Sequence, residues 1–219
     1  MTIIIDYDDR HSQQGVWLTL SVRRQMIERT AILLAKKGLQ GTSFSEVLEA
    51  TGAPRGSLYH HFPGGKDELV LAALGVASDQ AMGVLDQLAG KSAGEVARTF
   101  AGLWRMVLSR SDFSAGCAVL AVTVAAESPA LMERAAEVFR GWRVRLGVLL
   151  AEGGVPEARA PGLAASLISA CEGAVVLARA ERSFEPFDLV AAEQIAAIDA
   201  AIVKPRRSRT SAGKTNRNA

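Results

Sequence analysis

From residue 66 to residue 203 apolar positions recur at helical spacing, and no stretch alternates as a half-buried strand would. Segments 66–88, 94–109, 115–127, 129–152, 160–182 and 187–203 are separated by Gly, Pro, Ser and Asp, the residues that interrupt helices. The pattern predicts an all-α body entered through a long connector helix at its N-terminal end. Gly141 and Gly147 lie inside segment 129–152 and argue against its continuity, because glycine in a helix interior costs roughly 1 kcal/mol relative to alanine.

Before residue 66 the pattern tightens. Thr42 and Ser43 are N-cap residue types, and Ser43 with Glu46 has the spacing of a capping box. Phe44, Val47, Leu48 and Thr51 form one stripe, and Gly52 stands where a left-handed residue closes a helix at least cost. Pro54 suits the first turn of a second short helix. Two short helices across a glycine-containing turn are the helix-turn-helix arrangement. With about 100° between successive residues, Leu58 and Phe62 share the inward face of the second helix. Gly56 and His60 point the opposite way, with Arg55 and Tyr59 on one flank and Ser57 and His61 on the other.

Those outward residues are hydrogen-bonding groups and a glycine, which suits the major groove of DNA better than a core. Arg55 has the donors to read a guanine edge. Gly56 lets the backbone approach bases, while Ser57, Tyr59, His60 and His61 have groups that bond phosphate and so fix register. Gly64-Gly65-Lys66 opens the next helix, whose amides and lysine suit one more phosphate. Singly, Arg55 reads first as a solvated surface arginine, and Tyr59 also reads as a half-buried aromatic with a wet hydroxyl. Their concurrence on one helix carries the reading. His60 and His61 are not a metal pair, since neighbours on a helix diverge and no third histidine is near.

This run resembles the TetR/AcrR family of bacterial transcriptional regulators. The resemblance spans residues 22–70: a striped first helix, Gly38, Thr42-Ser43, then Gly56-Ser57-Leu58-Tyr59-His60-His61-Phe62 and Lys66. The spacing from Phe62 to Lys66 is one residue longer than usual, which is similar to a branch typified by repressors of lincomycin-resistance exporters. The resemblance implies phosphate contacts from Tyr59 and Lys66, and base-facing positions at Arg55, Gly56 and His60. Thr42 and Ser43 join the candidate DNA contacts. Ala53-Pro54 replaces the family's usual Val-Ser and so removes one phosphate-binding hydroxyl.

Charge supports a modular DNA binder. Residues 21–66 hold seven basic and three acidic residues, residues 67–203 hold eleven and seventeen, and the tail 204–219 holds six basic residues and no acidic one. A basic head neutralises phosphate while an acidic body avoids it. The expected organisation is a loose arm at 1–20, a DNA-binding head at 21–65, a ligand-binding and dimerisation body at 66–203, and a basic, disordered tail at 204–219. The start of the chain lacks a basic signal-peptide region, and the apolar run 117–126 is too short to span a bilayer. Two separated cysteines suit a reduced cytoplasm without disulfides.

In the body, segments 160–182 and 187–203 carry stripes of small and β-branched residues: Gly173, Ala174, Leu177 and Ala178 on one, Ala191, Ile195, Ile198 and Ile202 on the other. They suggest a four-helix interface in a homodimer, which the resemblance also implies, and two heads would then read half-sites roughly 34 Å apart. The alternative is an alanine-rich monomer core. An effector pocket, again implied by the resemblance, is expected among Trp104, Phe113, Cys117, Leu120, Phe139, Trp142 and Cys171. Its apolar surroundings favour an apolar or aromatic small molecule.

Three classes of function compete. The first is a ligand-responsive dimeric repressor on a palindromic operator in double-stranded DNA. The second is a DNA-binding regulator without a small-molecule ligand, constitutive or controlled by a protein partner or by thiol chemistry at Cys117. The third is an enzyme. The body has no histidine to act as a base, and no phosphate loop, GxSxG or metal spacing is present. No catalytic residue, cofactor or metal is expected. The first class is the favoured one.

Overall fold

The computed structural model describes residues 22–202, so the expected arm at 1–20 and tail at 204–219 lie outside the described residues. Every regular element among the described residues is helical: α1 (Val22–Lys37), α2 (Phe44–Thr51), α3 (Arg55–His61), α4 (Gly65–Asp86), α5 (Ala93–Arg110), α6 (Ala118–Thr123), α7 (Pro129–Glu152), α8 (Ala160–Glu181) and α9 (Glu185–Ala201). The all-α expectation holds.

The head forms as its caps dictate. Ser43 accepts from the Glu46 amide while the Glu46 carboxylate accepts from the Ser43 amide, closing the capping box of α2. Gly52 ends α2 at φ 66°, a left-handed angle that glycine adopts without a Cβ penalty. Pro54 sits one position earlier than expected, as the N-cap of α3 rather than inside its first turn. Its ψ of 145° is extended, so the helix starts only at Arg55. Met26, Leu34, Val47, Leu58, Phe62 and Leu69 are buried together, so α1 to α4 share one apolar centre.

In the body, α7 packs against α4, α6 and α8, and α9 packs against α8 and α5. Arg105 of α5 clips α9 by donating two hydrogen bonds to the Asp188 carboxylate, at 2.8 and 3.2 Å. Arg98 donates a single hydrogen bond further along, at 2.9 Å to Asp199. Such exposed pairs contribute about 0–1 kcal/mol each, so they orient α9 rather than hold it. Holding it falls to Phe187, Ala191, Ile198 and Ala201, which are buried.

Two expectations need correction. The helix expected over 115–127 is a single short element, Ala118–Thr123. β-Branched residues crowd it, and the chain enters through a turn in which Asp112 and Phe113 take positive φ. Conversely, α7 runs unbroken through Gly141 and Gly147. A Cβ at Gly147 would meet the Pro161 Cα at 3.7 Å and the Ala164 Cβ at 3.9 Å, so this glycine marks where α7 and α8 approach closely.

By length and composition, α4 and α8 are apolar enough to cross a membrane, with mean hydropathies of 1.4 and 1.6. Each packs on at least two other helices of the bundle. The shortness of the run 117–126 therefore decides nothing.

Space for one methyl exists at Gly147, but not for a larger side chain. Gly147→Ala should leave stability unchanged or raise it by up to about 1 kcal/mol through helix propensity. Gly147→Leu should lower it by about 1–3 kcal/mol through overpacking. Denaturant titration at one fixed protein concentration distinguishes the two outcomes.

Candidate nucleic-acid interface and the cavities of the body

Leu58 and Phe62 anchor α3 with no exposed surface, and the Arg23 guanidinium of α1 lies 5.0 Å from the Phe62 ring centroid. The rest of the helix faces out. Arg55, Gly56, Tyr59 and His60 are exposed, and Ser57 and His61 are half-buried at the edges of the same face. Tyr59 is 68% exposed, yet its ring is steadied edge-on against Phe44 at 5.7 Å. The Ser57 hydroxyl donates to the Pro54 carbonyl and so belongs first to the start of the helix.

Gly56 is informative. A Cβ there would meet nothing within 4 Å. The protein's own packing does not require glycine at a helical position where it costs roughly 1 kcal/mol. The open space is where a partner's surface can approach.

Two candidate contacts are already engaged inside the head. Thr42 is buried, and its hydroxyl donates to the Gly38 carbonyl at 2.8 Å, so it staples the turn after α1 instead of facing outward. The Lys66 ammonium donates to the Leu39 carbonyl at 2.7 Å, tying the start of α4 to the same turn. Its other two protons remain for a phosphate. The Gly64 amide is likewise taken, by the Glu68 carboxylate at 2.8 Å. Ser43 is exposed, beside α2's first turn.

Two of the hollows in the body hold most of the expected pocket residues. The first, about 170 Å³, lies between α1, α4, α5, α6 and α7. Phe100, Trp104 and Trp142 supply aromatic walls, Ala31 and Ala35 of α1 and Ala77 and Ala81 of α4 supply small ones, and Gln80 and Cys117 add polar groups. The Trp142 indole N–H is buried without a hydrogen-bond partner. The second, about 520 Å³, is a groove between α7 and α8 lined by Leu120, Phe139, Arg140, Arg143, Ile168, Ser169 and Glu172.

The expected pocket residues therefore divide. Trp104, Cys117 and Trp142 come together in the first cavity, while Leu120 and Phe139 line the groove. Phe113 instead lies against Phe184, with ring centroids 4.7 Å apart. Cys171 is buried and lines neither hollow.

Glu172 escaped sequence reasoning altogether. It is buried, and neither carboxylate oxygen has a hydrogen-bond partner other than the weak Cys117 thiol. Burial raises its pKa from 4.5 to about 7, opposed slightly by the neighbouring Cys117 thiol. Burial first, and then the Glu172 charge, push the Cys117 thiol well above its usual range; Cys171 is pushed to about 12 for the same reasons. Neither thiol is a ready nucleophile. The signal for Glu172 was present, as the one acidic residue between 160 and 180 in an otherwise apolar helix.

The expected dimer stripe also divides. Ala174, Ala178, Ala191 and Ile198 are buried within the single chain, so they belong to its own α8–α9 packing and cannot face a partner. Gly173 and Leu177 are exposed, and Ile195 and Ile202 are half-buried. The outer face of α8 carries Gly162, Ser166, Gly173, Val176 and Leu177, and that of α9 carries Leu189, Ala192 and Ala196. Val176, Leu177 and Leu189 are 52%, 48% and 63% exposed.

A short polar helix pinned by two buried residues in a helix-turn-helix frame defines a DNA-binding regulator of transcription. Residues 26–73 match the family model for bacterial regulatory proteins of the tetR family, and residues 93–193 match the LmrA/YxaF-like transcriptional regulator C-terminal domain. An HTH-type transcriptional regulator of Mycobacterium tuberculosis is 35% identical over 175 residues, covering 77% of this chain and 89% of its own. The HTH-type regulator YxaF of Bacillus subtilis is 28% identical, covering 79% and 92%. The crystal structure of a TetR-family regulator from Cytophaga hutchinsonii superposes with a TM-score of 0.71 at 27% identity, covering 85% of this chain and 99% of that one. The chain belongs to the TetR family of transcriptional regulators. Among the described residues no group of three His, Cys, Asp or Glu side chains is placed to hold a metal.

Gly56→Ala should stabilise the protein by up to about 1 kcal/mol while weakening DNA binding, a split that folding and gel-shift assays detect together. Tyr59→Phe and Lys66→Ala should weaken binding to every sequence, and Arg55→Ala should relax preference at one or two base pairs. Lys66→Ala should also lower stability, since it leaves the Leu39 carbonyl without its partner.

Glu172 ionises near 4.5 in the unfolded chain and near 7 in the folded one. Its contribution is therefore most favourable below pH 4.5, falls as pH rises, and is fully unfavourable above 7. Glu172→Gln should become the more stable protein across that window, by up to roughly 3 kcal/mol at its alkaline end. Paired denaturation curves across pH test this; a gap that does not change with pH contradicts it.

Proposed function

We propose that this protein is a ligand-responsive, dimeric, cytoplasmic repressor that binds a palindromic operator through α3 and leaves it when a small aromatic or apolar effector enters the first cavity. One observation carries the reading: that cavity is walled on one side by Ala31 and Ala35 of α1 and by Ala77 and Ala81 of α4, the helices whose apolar residues share one core with the α3 anchors Leu58 and Phe62. A cavity on the order of 150 Å³ holds a single benzene-sized ring. A larger effector fits only if α1 or α4 moves, and that movement is what changes the spacing of two heads. The ligand thereby binds one head spacing more tightly than the other, which is the requirement for any shift between them. The unpartnered Trp142 indole N–H favours an effector that carries a hydrogen-bond acceptor.

Dimerisation through the outer faces of α8 and α9 is supported by two glycines as well as by the exposed apolar side chains. A Cβ at Gly162 or Gly173 would meet nothing within 4 Å of its own chain, so both leave room for a partner helix. Control by thiol chemistry is the weaker reading, because burial holds Cys117 in its neutral form.

The test fills the cavity. Ala81→Phe should leave operator binding within about threefold of wild type, a difference below 1 kcal/mol, while abolishing release by any aromatic effector found in a screen. Release that survives in Ala81→Phe removes the cavity from the account. Leu177→Arg should produce a monomer by sedimentation and lose the operator, whereas a dimeric Leu177→Arg would place the interface elsewhere.

A further inference from the structure

The groove between α7 and α8 is not explained by the aromatic cavity or by the head. Its floor is an acid that the fold makes expensive. Glu172 is 7% exposed, borders the groove, and has two solvent-shielded carboxylate oxygens whose one neighbouring donor is the weak Cys117 thiol. A buried polar group left unpaired costs about 1–3 kcal/mol or more when charged, and an isosteric apolar residue would avoid that cost. The neighbours that face it supply no remedy. From α6 the Cys117 thiol is a weak donor, and from α8 the Cys171 thiol is buried. From α7 come Arg140 and Arg143, which line the groove, stand exposed at its mouth, and form no ion pair with Glu172 among the described residues. Leu120, Phe139 and Ile168 add apolar lining to the same groove.

We propose that this groove is a second small-molecule site, distinct from the aromatic cavity, for a compound with a protonated amine or amidine on an apolar body and an oxygen acceptor at its far end. Two empty carboxylate oxygens match a group with two or more N–H donors, which a single hydroxyl cannot supply. The apolar body covers Phe139 and Ile168, and the far end meets Arg140 and Arg143. The Glu172 carboxylate offers both oxygens and a charge to the cationic ligand nitrogen only when ionised, so binding strengthens as pH rises through about 7 and weakens below it.

The probes are benzylamine, para-aminomethylbenzoate and benzoate, titrated calorimetrically into the full chain at pH 8 and pH 6. The wild type should bind both amines at pH 8, para-aminomethylbenzoate more tightly, and lose about tenfold at pH 6, where protonation removes most of the carboxylate. Glu172→Gln should lose binding at both pH values, and Glu172→Asp, which keeps the charge, should retain part of it. Trp104→Ala, which alters only the aromatic cavity, should leave binding intact. Loss of amine binding in Trp104→Ala but not in Glu172→Gln assigns the amines to the aromatic cavity and overturns the proposal. So does equal binding by wild type and Glu172→Gln, benzoate binding as tightly as the amines, or no binding of either amine to the wild type.

Discussion

Everything that α3 presents outward depends on two side chains that point inward. Leu58 and Phe62, one turn apart, have no exposed surface and are set in the apolar centre that α1, α2 and α4 share. Seven residues make too short a helix to be stable alone, so tertiary packing of this stripe is what keeps α3 helical. The other six positions of α3 are then not needed for its apolar anchorage. That freedom explains an exposed tyrosine, an arginine and a glycine in one short element. It also explains why the head has its own staples nearby, the Thr42 hydroxyl on Gly38 and the Lys66 ammonium on Leu39.

The same packing joins head to body. α1 leans on α4 and on α6, and the Gly116 amide donates to the Ala35 carbonyl at 2.9 Å, a backbone link between the end of α1 and the entry to α6. The residues around that link, Ala35, Gly116 and Cys117, are also walls of the aromatic cavity. The cavity thus borders the same elements that join the head to the body. α9 stands apart from this arrangement, clipped to α5 and packed on α8, which suits an element that holds still.

Much of the head was legible because its signals are local. Ser43, Glu46 and Gly52 act through backbone groups within a few residues, and local rules describe them well. Pro54 was displaced by one position because its extended ψ, and not only its missing N–H, decides where α3 begins. Thr42 and Lys66 were read as outward donors. Their acceptors, Gly38 and Leu39, lie in a turn whose position depends on the packing of α1 against α4, which no local rule supplies. In the body, helical stripes located the elements but not their faces. Ala174, Ala178, Ala191 and Ile198 share a stripe with exposed neighbours, and small residues suit a core and an interface equally. Glu172 was visible as a lone acid on an apolar helix, yet only the fold reveals that its carboxylate is unpartnered. The aromatic cavity lies among five helices and the groove between α7 and α8, so no local pattern assigns a single residue such as Phe113 to either.

The central claim is that two copies of α3, held at a fixed spacing by the body, read DNA sequence. Selection of bound fragments from random or genomic DNA by the purified full chain, with the enriched sites titrated against salt, tests it most directly. The account predicts an enriched palindrome with half-sites separated by about one helical turn of DNA or a multiple of it, and a steep salt dependence at that site. Binding that is salt-sensitive but blind to sequence, or an enriched site with a single unrepeated half, would contradict it.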